Sequence, residues 1–192
     1  DKADKTGWEL HIVGHSAGSI FAAHAMPLLS NLGLPLKSVQ FLAPAIRTDT
    51  FKQLLLPGLA AGDIPLPTLY LLSDKLERGD CVGPYGKSLL YLVSNAFEGR
   101  REVPILGMHA CLEADAQLAK LFSGQVDGRP ALVVSQGIPV DPAQELAAVK
   151  QGASVSHTHG GFDNDCTTMN SVLTRVLGSA PKMLFTARDL HY

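Results

Sequence analysis

The sequence predicts an α/β fold: a mostly parallel sheet with helices on both faces, in a single domain spanning residues 1–192. Three observations carry this. Apolar runs of strand length alternate along the chain with segments of helical spacing. The early strand candidates are nearly continuous apolar runs, as in strands buried on both faces. Glycine and proline mark most switches between the two kinds of segment.

Residues 8–13 (WELHIV) are short, partly alternating and followed by Gly14, which predicts a strand. From Ser16 to Leu32 the chain is rich in Ala and Leu with Ile20, Ala23, His24 and Pro27 at helical spacing. This predicts a helix that Pro27 kinks or shortens and Gly33 stops. Residues 37–43 predict a second strand, 48–56 a helix, and 57–67, with three prolines and two glycines, an irregular link. Residues 68–73 (TLYLLS) predict a third strand, followed by a polar loop at 74–86 and an amphipathic helix at 87–98. Further on, the pattern predicts a strand at 103–108, a short helix at 114–122, a strand at 131–135, a helix at 141–150, a polar loop at 153–165 and a closing helix at 166–177.

Composition narrows the function classes. Hydrophobic residues make up 46% and charged residues 18%, the profile of a packed globular enzyme domain. A net charge of −2 gives no electrostatic attraction to nucleic acid or an anionic membrane. No apolar run is long enough to span a bilayer. Three widely spaced cysteines, Cys81, Cys111 and Cys166, argue against a disulfide framework or a zinc module and suggest free thiols in a reducing, cytoplasmic setting.

The motif with chemical content is Gly14-His15-Ser16-Ala17-Gly18, placed where a strand hands over to a helix. A serine on such a turn is presented above the sheet edge, flanked by small residues that let neighbouring backbone pass. The same turn leaves the Ala17 N–H at a helix N-terminus, able to donate to an oxyanion. The plainer alternative makes Ser16 an ordinary helix N-cap. A serine nucleophile needs a base and an orienting acid. The loop after TLYLLS offers Asp80 and, directly after the strand, Asp74, with Asp80 favoured. Of the seven histidines, His159 is the favoured base, because the following Gly160-Gly161 lets the backbone turn freely. His157 is second and His109 third. His11 and His24 fall at packing positions, and His15 lines the pocket beside Ser16. His157, His159, Asp163 and Asp165 also form a short run of potential metal ligands, but the serine accounts for one histidine, and the aspartates suit the cap of the following helix. No metal is therefore expected.

The VGHSAG segment at 13–18 resembles the nucleophile elbow of the α/β-hydrolases. KSVQFLAPA, TLYLLSDKLERGD, KSLLYLVSNAFE and HGGFDND resemble stretches of bacterial esterase-like members. The resemblance covers residues 8–178 and implies Ser16 as nucleophile, Asp80 or Asp74 as acid, His159 as base, a small-molecule ester substrate and no cofactor. Thioester or amide cleavage, or a non-catalytic binding role, are the alternatives on the same fold. The resemblance also implies that 47–67 is where a lid inserts, with Leu54, Leu55, Leu56 and Leu59 forming an acyl pocket or simply a core helix. In that family several strands precede the elbow strand, and one of their loops gives the second oxyanion donor. Only seven residues precede Trp8, so the missing half of the sheet is expected from a longer native chain or from another chain.

Overall fold

The computed structural model describes residues 7–190. The charged lead-in at 1–6 and His191 lie outside the described residues. Four parallel strands, β1 (Leu10–His15), β2 (Leu36–Leu42), β3 (Thr68–Leu72) and β6 (Leu132–Ser135), form one sheet in the order β1-β2-β3-β6. Helix α1 (Gly18–Asn31) crosses from β1 to β2, and α2 (Thr48–Ala61) from β2 to β3. The excursion from β3 to β6 carries α3 (Asp74–Gly79), α4 (Leu89–Leu92), α5 (His109–Ala114), α6 (Ala116–Phe122) and a small hairpin of β4 (Gln125–Val126) and β5 (Arg129–Pro130). Helices α7 (Glu145–Gln151) and α8 (Cys166–Leu177) close the chain, separated by a loop holding a 3-10 turn at His159–Gly161.

Alternation along the strands sorts side chains to two cores. Val39, Phe41, Leu69 and Leu71 pack with Met26 of α1, Phe51 and Leu55 of α2 and Phe122 of α6. Leu42, Tyr70, Leu72 and Val133 pack with Leu90 of α4, with Val172 of α8 and with Phe162 of the loop before it. Both faces are thus covered, which is why β3 is apolar after Thr68: every one of its residues is buried. Each large apolar side chain so buried contributes about 1.5–3 kcal/mol. No helix among the described residues is long and apolar enough to cross a membrane.

Several elements differ from the sequence expectation. Helix α2 runs through Pro57 to Ala61 and ends on Gly62 in the left-handed region, at φ 78°. Within the 47–67 segment α2 is a core helix: Phe51 and Leu55 are fully buried, and Leu54 and Leu59 pack against the same core. Residues 103–108 join no sheet and make only single bridges, Arg47 with Ile105 and Leu72 with Met108. Val103, Ile105 and Met108 fill the second core and Leu106 the first, Pro104 offers no donor, and β6 occupies the place beside β3. The expected helix at 87–98 begins at Leu89 and widens into a π-helical turn at Val93–Phe97. Residues 74–79, expected as loop, form α3, supported by an Arg78–Asp74 pair one turn apart.

Candidate active site

The parallel strands point their C-terminal ends to one edge, and the chemistry-bearing residues collect there. Ser16 follows β1 directly with φ at 52°, a left-handed conformation that an L-residue adopts only under constraint. The constraints are visible. The Ser16 N–H donates to Leu42 O at 2.9 Å, and its carbonyl accepts from Ser19 N, Ser19 Oγ and Ala45 N at 3.1, 2.7 and 3.0 Å. A Cβ on Gly14 would lie 3.0 Å from the Gly18 carbonyl carbon, so the turn requires glycine at 14. A Cβ on Gly18 would meet nothing within 4 Å. Of the two small flanking residues, only Gly14 has neighbouring backbone passing close by.

Ser16 is not a helix cap. The N-cap of α1 is Ala17, without a side-chain bond, and the Ser16 Oγ instead lies 2.9 Å from His159 Nε2. Ala17 is exposed, and its N–H has no hydrogen-bond partner among the described residues.

His159 opens the 3-10 turn and is 5% exposed. Burial, and then the charge of His15, push its pKa down to about 4, while Asp80 and Asp163 oppose the shift. Near neutral pH it is an uncharged imidazole whose Nε2 faces a hydroxyl. Gly160 and Gly161 do not use their left-handed freedom. At Gly161 space is tight instead, since a Cβ there would lie 2.9 Å from Thr158 Oγ1.

The structure separates the two acid candidates. Asp80, at the C-cap of α3, accepts the His159 main-chain N–H on Oδ2 at 2.9 Å and the Cys81 N–H on Oδ1 at 2.8 Å. His159 Nδ1 is buried and has no partner among the described residues, so Asp80 holds the backbone of His159 and not its ring. Asp74 accepts from Tyr91 Oη and Arg78 Nε, each at 2.7 Å, and these contacts hold its carboxyl below the ordinary range, the Tyr91 hydroxyl foremost. It makes no contact with Ser16 or His159. Between them, Glu77 is buried and bonded to the Ser88 hydroxyl. Burial pushes its pKa up to about 7, with the charges of Asp80 and Asp74 adding to the rise and Ser88 opposing it.

The other histidines lie elsewhere. His157 is exposed with its ring against Gly137, and His109 pairs with Glu113 at 3.7 Å at the start of α5. His15 and Asp163, which the sequence did not assign to the catalytic set, flank His159. The only signal for them was adjacency, one residue from Ser16 and four from His159. Asp165 caps α8 through the Thr167 and Thr168 N–H groups; Asp163 does not share in the cap. Among the described residues no three His, Cys, Asp or Glu side chains converge as a metal site. A cavity of about 500 Å³ lies between Tyr91, Met108 and Cys111, with Arg78 and Lys87 also in its wall; Ser16, Asp80 and His159 do not line it.

Compared with models of known protein families, with curated proteins and with solved structures, the chain matches none.

Proposed function

We propose that the protein is a serine hydrolase built on the α/β-hydrolase plan. The observation that carries this reading is Ser16, held at φ 52° with its Oγ 2.9 Å from the Nε2 of a buried, neutral histidine. More particularly, we propose a carboxylic ester as substrate. Ser16 Oγ attacks the carbonyl carbon as His159 Nε2 takes the hydroxyl proton. The Ala17 N–H donates to the oxyanion, the alkoxide leaves with the proton from His159, and water, activated by the same imidazole, releases the acid and restores Ser16. Asp80 is the acid of the set, since Asp74 is committed to Tyr91 and Arg78.

Strand β1 lies at the sheet edge. Val13 is 46% and Phe21 79% exposed beside a shallow apolar groove between β1 and α1. These features support the further proposal that another strand, from this chain's own polypeptide or another, pairs with that edge and brings the second oxyanion donor.

A fluorophosphonate probe tests the reading, because it traps an activated serine. The wild-type protein should be labelled at Ser16, Ser16→Ala should not be labelled, and His159→Asn should lose nearly all labelling while His157→Asn keeps it. Labelling that persists in Ser16→Ala would refute the assignment.

A further inference from the structure

Residue His159 sits in a loop, and a catalytic base must be held within roughly 0.5 Å of its working position. A loop does not supply that by itself, so the question is what holds it. One side of its peptide is explained: the N–H donates to Asp80 Oδ2. The other side is held by a second histidine. His15 Nε2 lies 2.9 Å from the His159 carbonyl oxygen. A carbonyl only accepts, so Nε2 of His15 carries the proton. The two rings lie 5.3 Å apart between centroids, tilted by 31°, and Phe162 meets the His15 ring edge-on at 6.4 Å. The remaining nitrogen, Nδ1, faces Asp163 Oδ2 at 3.9 Å, and Asp163 Oδ1 is buried without a partner.

We propose that His15 is a positioning residue: with Asp80 it clamps both main-chain polar groups of His159, tying the loop that carries the base to the strand that leads into the nucleophile. Asp163 supplies the negative charge facing its Nδ1. The clamp is economical in geometry. His15 and Ser16 are neighbours at the end of β1, so one rigid element fixes the nucleophile and the base together. The role in catalysis rests on the hydrolase reading above; the clamp itself does not.

Two variants and two readouts separate these. In His15→Gln the amide nitrogen occupies the place of Nε2 and still reaches the carbonyl. In His15→Asn the nitrogen sits where Nδ1 was and falls short. Amide hydrogen exchange across residues 156–163 reports the clamp without reference to activity. Exchange should speed up in His15→Asn and stay near wild type in His15→Gln. Fluorophosphonate labelling should slow by roughly ten- to a hundredfold in His15→Asn and recover to within a few-fold in His15→Gln. With an ester substrate the loss should appear in kcat with KM little changed. Unchanged exchange in His15→Asn, or a His15→Gln as impaired as His15→Asn, would overturn the proposal. Failure of the wild-type protein to label would instead overturn the hydrolase reading, and the exchange comparison would then decide the clamp alone.

Discussion

Replacing Glu77 by Gln should stabilise the protein, and only at the alkaline end of its range. The side chain is 1% exposed, with one carboxyl oxygen bonded to Ser88 and the other without a partner. Burial raises its pKa from the ordinary 4.5 to about 7. Each tenfold step in a proton equilibrium is worth roughly 1.4 kcal/mol, so the ionised carboxylate costs the fold about 3 kcal/mol once both states are deprotonated. Between these two pKa values the unfolded chain binds fewer protons than the folded one, and stability falls as pH rises. Glutamine stays neutral and keeps an oxygen for Ser88. The gain over wild type should be close to zero at pH 4 and reach about 3 kcal/mol by pH 8. Urea unfolding at the two pH values reads this as a midpoint shift of roughly 1 M or more at pH 8, with an unchanged slope. His159 runs the other way. Its pKa falls from 6.5 to about 4 on folding, so the unfolded chain binds more protons in that window and stability is lost as pH falls. The two slopes oppose each other in the wild type, and Glu77→Gln should therefore unmask a rise of about 3 kcal/mol between pH 4 and 6.5. Equal stabilisation at pH 4 and pH 8, or destabilisation at pH 8, would refute the reasoning.

The elbow glycines should separate on thermal or urea unfolding. Gly14→Ala forces a Cβ against the Gly18 and Ser19 backbone at 3.0–3.1 Å and should cost about 1–3 kcal/mol. Gly18→Ala, at the first residue of α1 with open space around it, should gain up to about 1 kcal/mol; comparable losses at both positions would contradict this. The two acid candidates should also part. Asp80→Ala should slow probe labelling by roughly a hundredfold, because the His159 peptide loses its acceptor. Asp74→Asn should leave the labelling rate within a few-fold while lowering stability by about 1–2 kcal/mol through the weakened Tyr91 and Arg78 contacts. The opposite pattern would return Asp74 to the site.

The features legible in the sequence are those whose physics is local. A strand ending in Gly-x-Ser-x-Gly and opening a helix states its own turn, and Ser16 does adopt the left-handed angle such a turn demands. The apolar run of β3 reports burial on two faces, which a parallel sheet supplies. Burial is also where the reading failed. The 103–108 segment is as apolar as a strand, yet Val103, Ile105, Leu106 and Met108 are buried in an irregular path alongside residues 44–48, with Gly107 pressed against Pro44. Apolarity alone does not carry the backbone geometry. Helix α3 is six residues long and mostly polar, too short for a periodic signal. The sequence favoured Asp80 over Asp74 but could not show the contacts that part them: Tyr91 and Arg78 bind Asp74, and Asp80 accepts from a main-chain N–H 79 positions away.

These captures define how the site is organised. Three of the four polar groups of His159 are engaged: the N–H by Asp80, the C=O by His15, and Nε2 by Ser16. Nδ1 alone is unspent. If Nε2 accepts the Ser16 hydroxyl proton, Nδ1 carries the ring's other hydrogen, and a buried donor with no acceptor costs about 1–3 kcal/mol. The same burial that keeps the ring neutral, and therefore able to act as a base, opposes the imidazolium that forms when it does act. On the proposed mechanism that opposition has to be met by charge already in place. Asp80 supplies the larger favourable share and Asp163 the next. Asp80 is fixed beside the residue through its peptide, so its negative charge is present before the proton moves and needs no reorganisation when it does. On that mechanism the hydrogen bond from the His159 N–H to Asp80 serves two ends at once: it sets the position of the base, and it anchors the charge that stabilises the protonated base.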